Sequence, residues 1–286
     1  MTGNEGGEGI RRAPSHLRYL REGTLPTTFC PGCGCGTVLN CFVHTLDKMG
    51  MEPGELVAVT GIGCSSWLLS PYYRGDTLHT MHGRAIAFAT GVKAVMPDKR
   101  VVVIAGDGDL AGIGGNHLIH GARRNVGLSV FLVNNQIYGM TGGQVSPTTP
   151  AGVRTTTTPY GNAEYPFNIA EVVAAAGADY VARWTTYHVR PLMRAMEEAL
   201  TTDGFAFVEV LSQCPTNYGR NVGMPTAVEA LNAFKERSVP AEKACGMQAA
   251  ELEGRYVVGT LAKRSRKEYT SVLREASEAA RRADAR

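Results

Sequence analysis

Two features are missing from this 286-residue chain: a long apolar run and a surplus of either charge. No stretch of about 18 uncharged apolar residues occurs, which excludes an ordinary membrane-spanning helix. Met1 to Ile10 is rich in Gly and Glu where a secretory leader carries basic and then apolar residues, so the expected compartment is the cytoplasm and no membrane partner is expected. The formal net charge is only +3, too small a surplus to argue for nucleic acid. A Gly-x-Gly-x-x-Gly opening with an acidic residue about 20 positions on is also absent, which removes the Rossmann dinucleotide site. What is present, 44% apolar and 19% charged residues, is the composition of a globular protein with one large domain or two small ones.

The pattern along the chain is an alternation of short β-rich runs and helical ones. Strands are predicted at Leu56–Thr60, Val101–Ala105, Leu128–Val133, Ala178–Trp184 and Ala206–Leu211, with helices at Thr37–Met49, Gly83–Met96, Asn116–Arg124, Phe167–Ala176 and Val189–Leu200. Near-continuous apolar strands are buried on both faces, so the fold class is α/β, a mainly parallel sheet with helices on both faces and ligands at the carboxyl ends of the strands. Residues 1–15 carry no apolar periodicity and read as a disordered tail. Residues 16–235 form the main domain, and 236–286 a C-terminal helical extension with Leu, Val and Ala at helical spacing from Glu251, a possible subunit contact. Tyr138 to Pro166, rich in Thr, Gly and Pro, is too long for an ordinary connection and reads as a functional loop.

Two predicted strands end in groups that bind cations and phosphates. The first runs into Gly106-Asp107-Gly108-Asp109, and the second ends at Asn134-Asn135. With a helix between two adjacent parallel strands, Asp107 and Asn135 meet at the carboxyl edge, where a hard cation takes oxygen ligands and shares them with phosphate. Gly106 and Gly108 allow close backbone approach, and Gly114 and Gly115 open a helix whose first N–H groups would face an anion. The combination resembles the thiamine diphosphate binding motif. That resemblance implies Mg²⁺ held by Asp107, Asn135 and the backbone carbonyl of Ile137, with Gly108 and Asp109 against the diphosphate.

Of seven cysteines, Cys30 and Cys33 flank Pro31-Gly32, Cys64 ends Gly61-Ile-Gly-Cys, and Cys214 follows the strand Ala206–Leu211. An odd count with a Cys-x-x-Cys pair points to metal or cluster ligation before disulfides in a reducing compartment. Four thiolates suit Zn²⁺ or an iron–sulfur cluster, and spacing alone does not choose. The neighbourhood favours the redox group, because Cys64 and Cys214 fall at strand ends of the same sheet as Asp107, where inert zinc has no obvious task. Cys35 is a rival ligand two residues from Cys33; Cys41 reads as a small buried apolar residue, and Cys245 as structural or free.

Across residues 25 to 235 the chain resembles the β subunit of 2-oxoacid:ferredoxin oxidoreductases, through Cys-Pro-Gly-Cys-Gly, Gly-Ile-Gly-Cys, His82-Gly-Arg-Ala85, Gly-Asp-Gly-Asp, Asn116-His-Leu-Ile-His120 and Cys214-Pro-Thr-Asn217. The resemblance implies a [4Fe-4S] cluster on Cys30, Cys33, Cys64 and Cys214, coenzyme A as co-substrate and ferredoxin as acceptor. It places His82 and Arg84 near the cofactor as catalytic candidates. Thr80 to Arg84 and Cys214 to Tyr218 look most like the 2-oxoglutarate branch, with pyruvate and branched-chain 2-oxoacids open. Thiamine enzymes also need a pyrimidine-side Glu from a second domain of the same fold. No second βαβ series is present, so that Glu and a carboxylate-binding Arg are expected from an α subunit, in an αβ or (αβ)₂ assembly. The other readings are a non-oxidative thiamine decarboxylase or synthase subunit, which would need none of the cysteines, and a zinc-stabilised structural or regulatory subunit. His79 joins His82 and Arg84 as a possible anion contact. Ser65, Ser66, Trp67 and Tyr138 to Thr141 are candidates for a substrate pocket, although Trp67 and Tyr138 suit core packing equally. His117 and His120 share a helix side with no metal role required.

Overall fold

A computed structural model describes residues 15–284. The predicted disordered tail therefore lies almost wholly outside the described residues. Among these residues eight strands form one sheet in the order β2-β1-β3-β4-β6-β5-β8-β7. They are β1 (Leu56–Thr60), β2 (Asp76–His79), β3 (Arg100–Gly106), β4 (Leu128–Asn134), β5 (Tyr180–Thr185), β6 (Ala206–Leu211), β7 (Ser238–Pro240) and β8 (Tyr256–Lys263). Neighbouring strands run parallel everywhere except where β8 lies antiparallel on β5.

The two faces of the sheet are covered by different helices. Alternate residues of the central strands, Ile104, Phe131 and Val208 among them, pack with α1 (Gly34–Met49) and α5 (Val189–Thr201). Their neighbours Val103, Val130 and Phe207 pack on the other side with α2 (Ala85–Val95), α3 (Gly115–Arg124) and α4 (Ile169–Ala176). Burial on both faces is what makes these strands read as continuous apolar runs. Among the described residues no helix is long and apolar enough to cross a membrane.

The C-terminal part differs from its expectation. After α6 (Ala227–Arg237) come β7, the short helices α7 (Ala241–Ala244) and α8 (Ala249–Leu252), then β8 and only then α9 (Tyr269–Asp284). Tyr256-Val-Val-Gly-Thr-Leu-Ala-Lys263, expected to be helical, is a strand of the main sheet, so residues 236–286 are continuous with the domain. Half-buried strand residues and sparse apolar helix positions look alike over eight residues, and pairing with β5 decides between them. Short edge strand β2, with one intermediate and three exposed residues, was also missed because it lacks an apolar run.

Candidate active site

Strand order explains why the chemistry-bearing residues meet. The consecutive sheet neighbours β1, β3, β4 and β6 all run the same way, and their carboxyl ends deliver Cys64, Asp107, Asn135 and Cys214 in that order along one edge. An open cleft of about 650 Å³ at this edge is lined by Gly106 to Asp109, Asn135, Ile137 to Thr141, His82 and Ile62 to Ser65.

Asp107 is 2% exposed at the floor of the cleft. One of its oxygens, Oδ2, accepts hydrogen bonds from Ser146 Oγ at 2.7 Å and Thr148 Oγ1 at 2.6 Å. Burial raises the Asp107 carboxyl above the ordinary aspartate range, against the pull of these hydroxyls. Its other oxygen, Oδ1, faces Asn135. The outer end of the Asn135 amide lies 2.7 Å from the Ile137 carbonyl oxygen and 3.2 Å from Asp107 Oδ1. With nitrogen at that place the amide donates to both, which satisfies it within the protein; turned over, it would present an oxygen beside those of Asp107 and Ile137. A Cβ on Gly106 would meet nothing closer than 3.6 Å, so the floor is open in front of the strand, whereas a Cβ on Gly108 would run into the Tyr138 ring at 2.1 Å. The Tyr138 hydroxyl donates to the Gly108 carbonyl at 3.1 Å, closing that side.

Asp109, also 2% exposed, lines the cleft but has its carboxylate occupied. Oδ2 accepts from Ile62 N–H at 3.1 Å and Ser66 Oγ at 3.2 Å, and Oδ1 accepts from Gly83 N–H. His82 Nδ1 lies 2.9 Å from Oδ1, but the ring is not aligned for a hydrogen bond, so the contact is one of proximity and Nδ1 has no other partner. Asp109 thus ties the Cys64 loop and the His82 segment to the end of β3. A carboxylate so engaged acts as a clamp on protein groups at the wall of the cleft. The backbone between Gly108 and Ile113 forms one wide turn, with Gly114 N–H on the Asp109 carbonyl, so α3 begins beyond the cleft and the N–H groups expected at Gly114 and Gly115 do not line it.

Of the catalytic candidates, His82 reaches the cleft, packed edge-on against Tyr138. Arg84 does not line it; its guanidinium leans on the carbonyls of Gly83 at 3.3 Å and Ile113 at 3.5 Å. His79 is held by Thr60 Oγ1, 3.1 Å from its Nδ1, and His120 by Arg123.

The cysteines lie beside this cleft. Cys30, Cys33 and Cys64, with Thr28, Phe29, Trp67 and Met140, line a second pocket of about 530 Å³, and Cys64 and Met140 line both. Trp67 is 43% exposed and belongs to this pocket rather than to the core. The Cys30–Gly34 loop is fixed to the strand end of Cys214 by Gly34 N–H on the Gln213 carbonyl and Gln213 Nε2 on the Gly32 carbonyl, at 3.0 and 3.1 Å. Burial first, and then the neighbouring Cys33, Cys214 and Cys30, push the Cys64 thiol up to about 11. A hydrogen bond from Cys35 brings the Cys33 thiol down to about 7. Cys35 itself is buried, 3.9 Å from Ser65 Oγ; Cys41 is buried in the α1 core, and Cys245 is exposed.

A parallel sheet whose neighbouring strand ends bring Asp107, Asn135 and Ile137 together in one cleft has the architecture of a thiamine diphosphate-binding domain. The profile of the thiamine pyrophosphate enzyme, C-terminal TPP binding domain, matches residues 61–210. The 2-oxoglutarate synthase subunit KorB of Methanocaldococcus jannaschii is 53% identical over 244 residues, 85% of this chain and 90% of that one. The subunit of the same name from Methanothermobacter thermautotrophicus is 50% identical over 90% of each chain. A solved 2-oxoglutarate:ferredoxin oxidoreductase from Magnetococcus marinus, with 2-oxoglutarate, coenzyme A and succinyl-CoA bound, superposes with a TM-score of 0.82 at 32% identity, covering 94% of this chain and 92% of that one. The chain belongs to the β subunits of the 2-oxoacid:ferredoxin oxidoreductases, on the 2-oxoglutarate branch.

Proposed function

We propose that this subunit, with an α subunit, carries out the coenzyme A-dependent oxidative decarboxylation of 2-oxoglutarate and passes electrons singly to ferredoxin in the cytoplasm. The observation that carries the reading is the meeting of Asp107, Asn135 and Ile137 in one cleft, next to a pocket of cysteines that shares Cys64 and Met140 with it. In this reading Asp107 Oδ1, the Asn135 amide oxygen and the Ile137 carbonyl hold Mg²⁺, a hard cation matched to oxygen ligands. Gly106 and Gly108 line the cleft where a diphosphate would sit. Thiamine diphosphate, when bound, supplies the electron sink that lets a 2-oxoacid release CO₂. His82 lines the cleft with Nδ1 turned to the buried Asp109 carboxylate, which leaves Nε2 as the ring nitrogen that could exchange a proton with a bound molecule.

Cys30, Cys33, Cys64 and Cys214 would hold the [4Fe-4S] cluster. Sulfurs round one tetrahedral zinc stand about 3.8 Å apart, given Zn–S bonds near 2.3 Å. Here Cys30, Cys33 and Cys64 line one pocket and Cys214 lines a neighbouring one, and among the described residues no three His, Cys, Asp or Glu side chains close on a single ion. Four thiolates are the donor set that a [4Fe-4S] cluster takes. The α subunit would complete the site with the pyrimidine-side Glu and a substrate Arg, in an αβ or (αβ)₂ assembly.

Co-purification with the α subunit under anaerobic conditions, followed by analysis of thiamine diphosphate, iron and sulfide, tests the proposal. Equal thiamine diphosphate and β subunit, with four irons and four sulfides per chain, is expected. Zinc without iron would overturn the redox assignment, and cofactor without iron would point to a non-oxidative decarboxylase or synthase.

A further inference from the structure

A charged pair sits where an apolar one would be less costly. Arg183 on β5 and Glu209 on β6 face each other across the parallel ladder, with Nε 2.7 Å from Oε2 and both side chains nearly fully buried. A buried ion pair is seldom more stabilising than apolar residues of the same volume, so stability alone does not account for it. Its hydrogen bonds lead somewhere. Glu209 Oε1 accepts from Asn134 Nδ2 at 2.7 Å. Asn134 Oδ1 accepts from Gln136 N–H at 3.0 Å and lies 2.9 Å from Thr148 Oγ1, which is 2.6 Å from Asp107 Oδ2. On the far side, Arg183 donates to the Asn168 side chain and to the Val257 carbonyl of β8. Thr148 Oγ1 has one proton to share between Asn134 Oδ1 and Asp107 Oδ2, so the contacts run from the C-terminal strand to the floor of the cleft through a forked donor at Thr148.

We infer that Glu209, backed by Arg183, is a positioning residue for the cation site: it fixes the Asn134 amide, which fixes Thr148, which holds Asp107 Oδ2 so that Oδ1 faces Asn135 and Ile137. The inference rests on the reading of Asp107 as a Mg²⁺ ligand. The orientation of Asn134 is over-determined. Turning its amide over would aim nitrogen at the Gln136 N–H and oxygen at the Glu209 carboxylate, two repulsive contacts in a buried setting. Glu209→Gln removes one of these constraints by placing an amide where Asn134 donates, at unchanged volume.

The test is a Mg²⁺ titration of thiamine diphosphate binding, followed by intrinsic fluorescence in the assembled complex after chelation and dialysis. Partners that orient metal ligands typically change affinity by about 10- to 100-fold, and Glu209→Gln is expected to raise the Mg²⁺ concentration for half-saturation by that factor. Thr148→Val should do the same and Thr148→Ser should restore binding. In one continuous line the double variant loses less than the product of the two single losses. A merely structural role would lower the melting temperature without moving the Mg²⁺ midpoint. If Glu209→Gln does not assemble, Arg183→Lys combined with Thr148→Val closes the same cycle without leaving a buried charge unpaired. Multiplicative losses, or wild-type binding in Glu209→Gln while Asp107→Ala binds nothing, would overturn the inference and leave the site reading intact. Unchanged Mg²⁺-dependent binding in Asp107→Ala would instead overturn the site reading.

Discussion

Cys214 and Asn135 border the same residue: a Cβ placed on Gly139 would lie 3.7 Å from the Cys214 Sγ and 3.8 Å from the Asn135 amide nitrogen. One backbone position therefore separates the cysteine pocket from the cluster of Asp107, Asn135 and Ile137. The closeness follows from topology, because β4 and β6 are hydrogen-bonded neighbours, with Asn134 paired to Leu211, and each strand turns into its functional loop within three residues.

Gly139 gives a direct test of that shared wall. Both contacts fall in the ordinary van der Waals range, so Gly139→Ala is expected to keep thiamine diphosphate and iron content within about twofold of wild type, as a substitution that creates no clash does. Gly139→Leu adds atoms beyond a Cβ already in contact with both Cys214 and Asn135, so both cofactor and iron content should fall. Loss of only one of them would show that the two sites do not share this position.

A division of labour between the two sites predicts opposite phenotypes. Cys64→Ser or Cys214→Ser should abolish electron transfer to ferredoxin while thiamine diphosphate binding stays largely intact. Asp107→Ala should weaken cofactor binding by at least about 100-fold, beyond the range seen for residues that only orient a metal ligand, and leave the iron content unchanged. Metal analysis and equilibrium binding on the same preparations separate these outcomes, and equal cofactor loss in all three variants would contradict the assignment.

The parts of this arrangement that were legible in the sequence are those encoded locally. The strands ending at Asp107 and Asn135 announce themselves by apolar runs followed by Gly and Asn. The loop Tyr138 to Pro166 declared a function by its length, but which of its hydroxyls mattered did not show: Ser146 and Thr148 reach Asp107 over 39 and 41 positions. Arg183 and Glu209 were invisible because each sits in an otherwise apolar strand and acquires meaning only from sheet pairing. The clamping role of Asp109 is hidden for a related reason, since its partners Ile62 and Gly83 come from two other segments. Arg84 shared a motif with His82, yet the start of α2 turns it away from the cleft.

Cys33 should be distinguishable chemically in protein without its cluster. Its thiol is held at about 7 by the hydrogen bond from Cys35, whereas burial raises Cys64 to about 11 and Cys41 to about 12. Only the thiolate reacts, so alkylation of Cys33 by iodoacetamide should rise with pH through a midpoint near 7, while Cys64 and Cys41 stay unmodified at neutral pH. Cys35→Ala removes the donor and should move the Cys33 midpoint upward. Peptide mass spectrometry across a pH series reads all three sites, and alkylation of Cys64 at the rate of Cys33 would contradict the geometry.

Glu268 anchors the C-terminal helix and makes that anchorage pH-dependent. Its Oε1 accepts from Gly127 N–H at 2.9 Å, and Oε2 accepts from Thr270 Oγ1 at 2.6 Å and Ser271 N–H at 2.9 Å, which joins the start of α9 to the turn before β4. Burial pushes the carboxyl up, but the hydrogen bonds from Thr270, Gly127 and Ser271 together outweigh it and hold the group below the ordinary 4.5 of glutamate. A depressed folded-state value contributes stability that is present above 4.5 and is lost as pH falls through the folded value. Protection of the amides in Tyr269–Asp284, measured against their intrinsic exchange rates, should therefore fall below pH 4.5, ahead of the amides of β3 and β4. Glu268→Gln keeps the shape and removes the charge, so it should cost about 2 kcal/mol, the scale of a hydrogen bond to a charged group, and should flatten the pH dependence of protection in α9. An acid-sensitive α9 in Glu268→Gln would place the titrating anchor elsewhere.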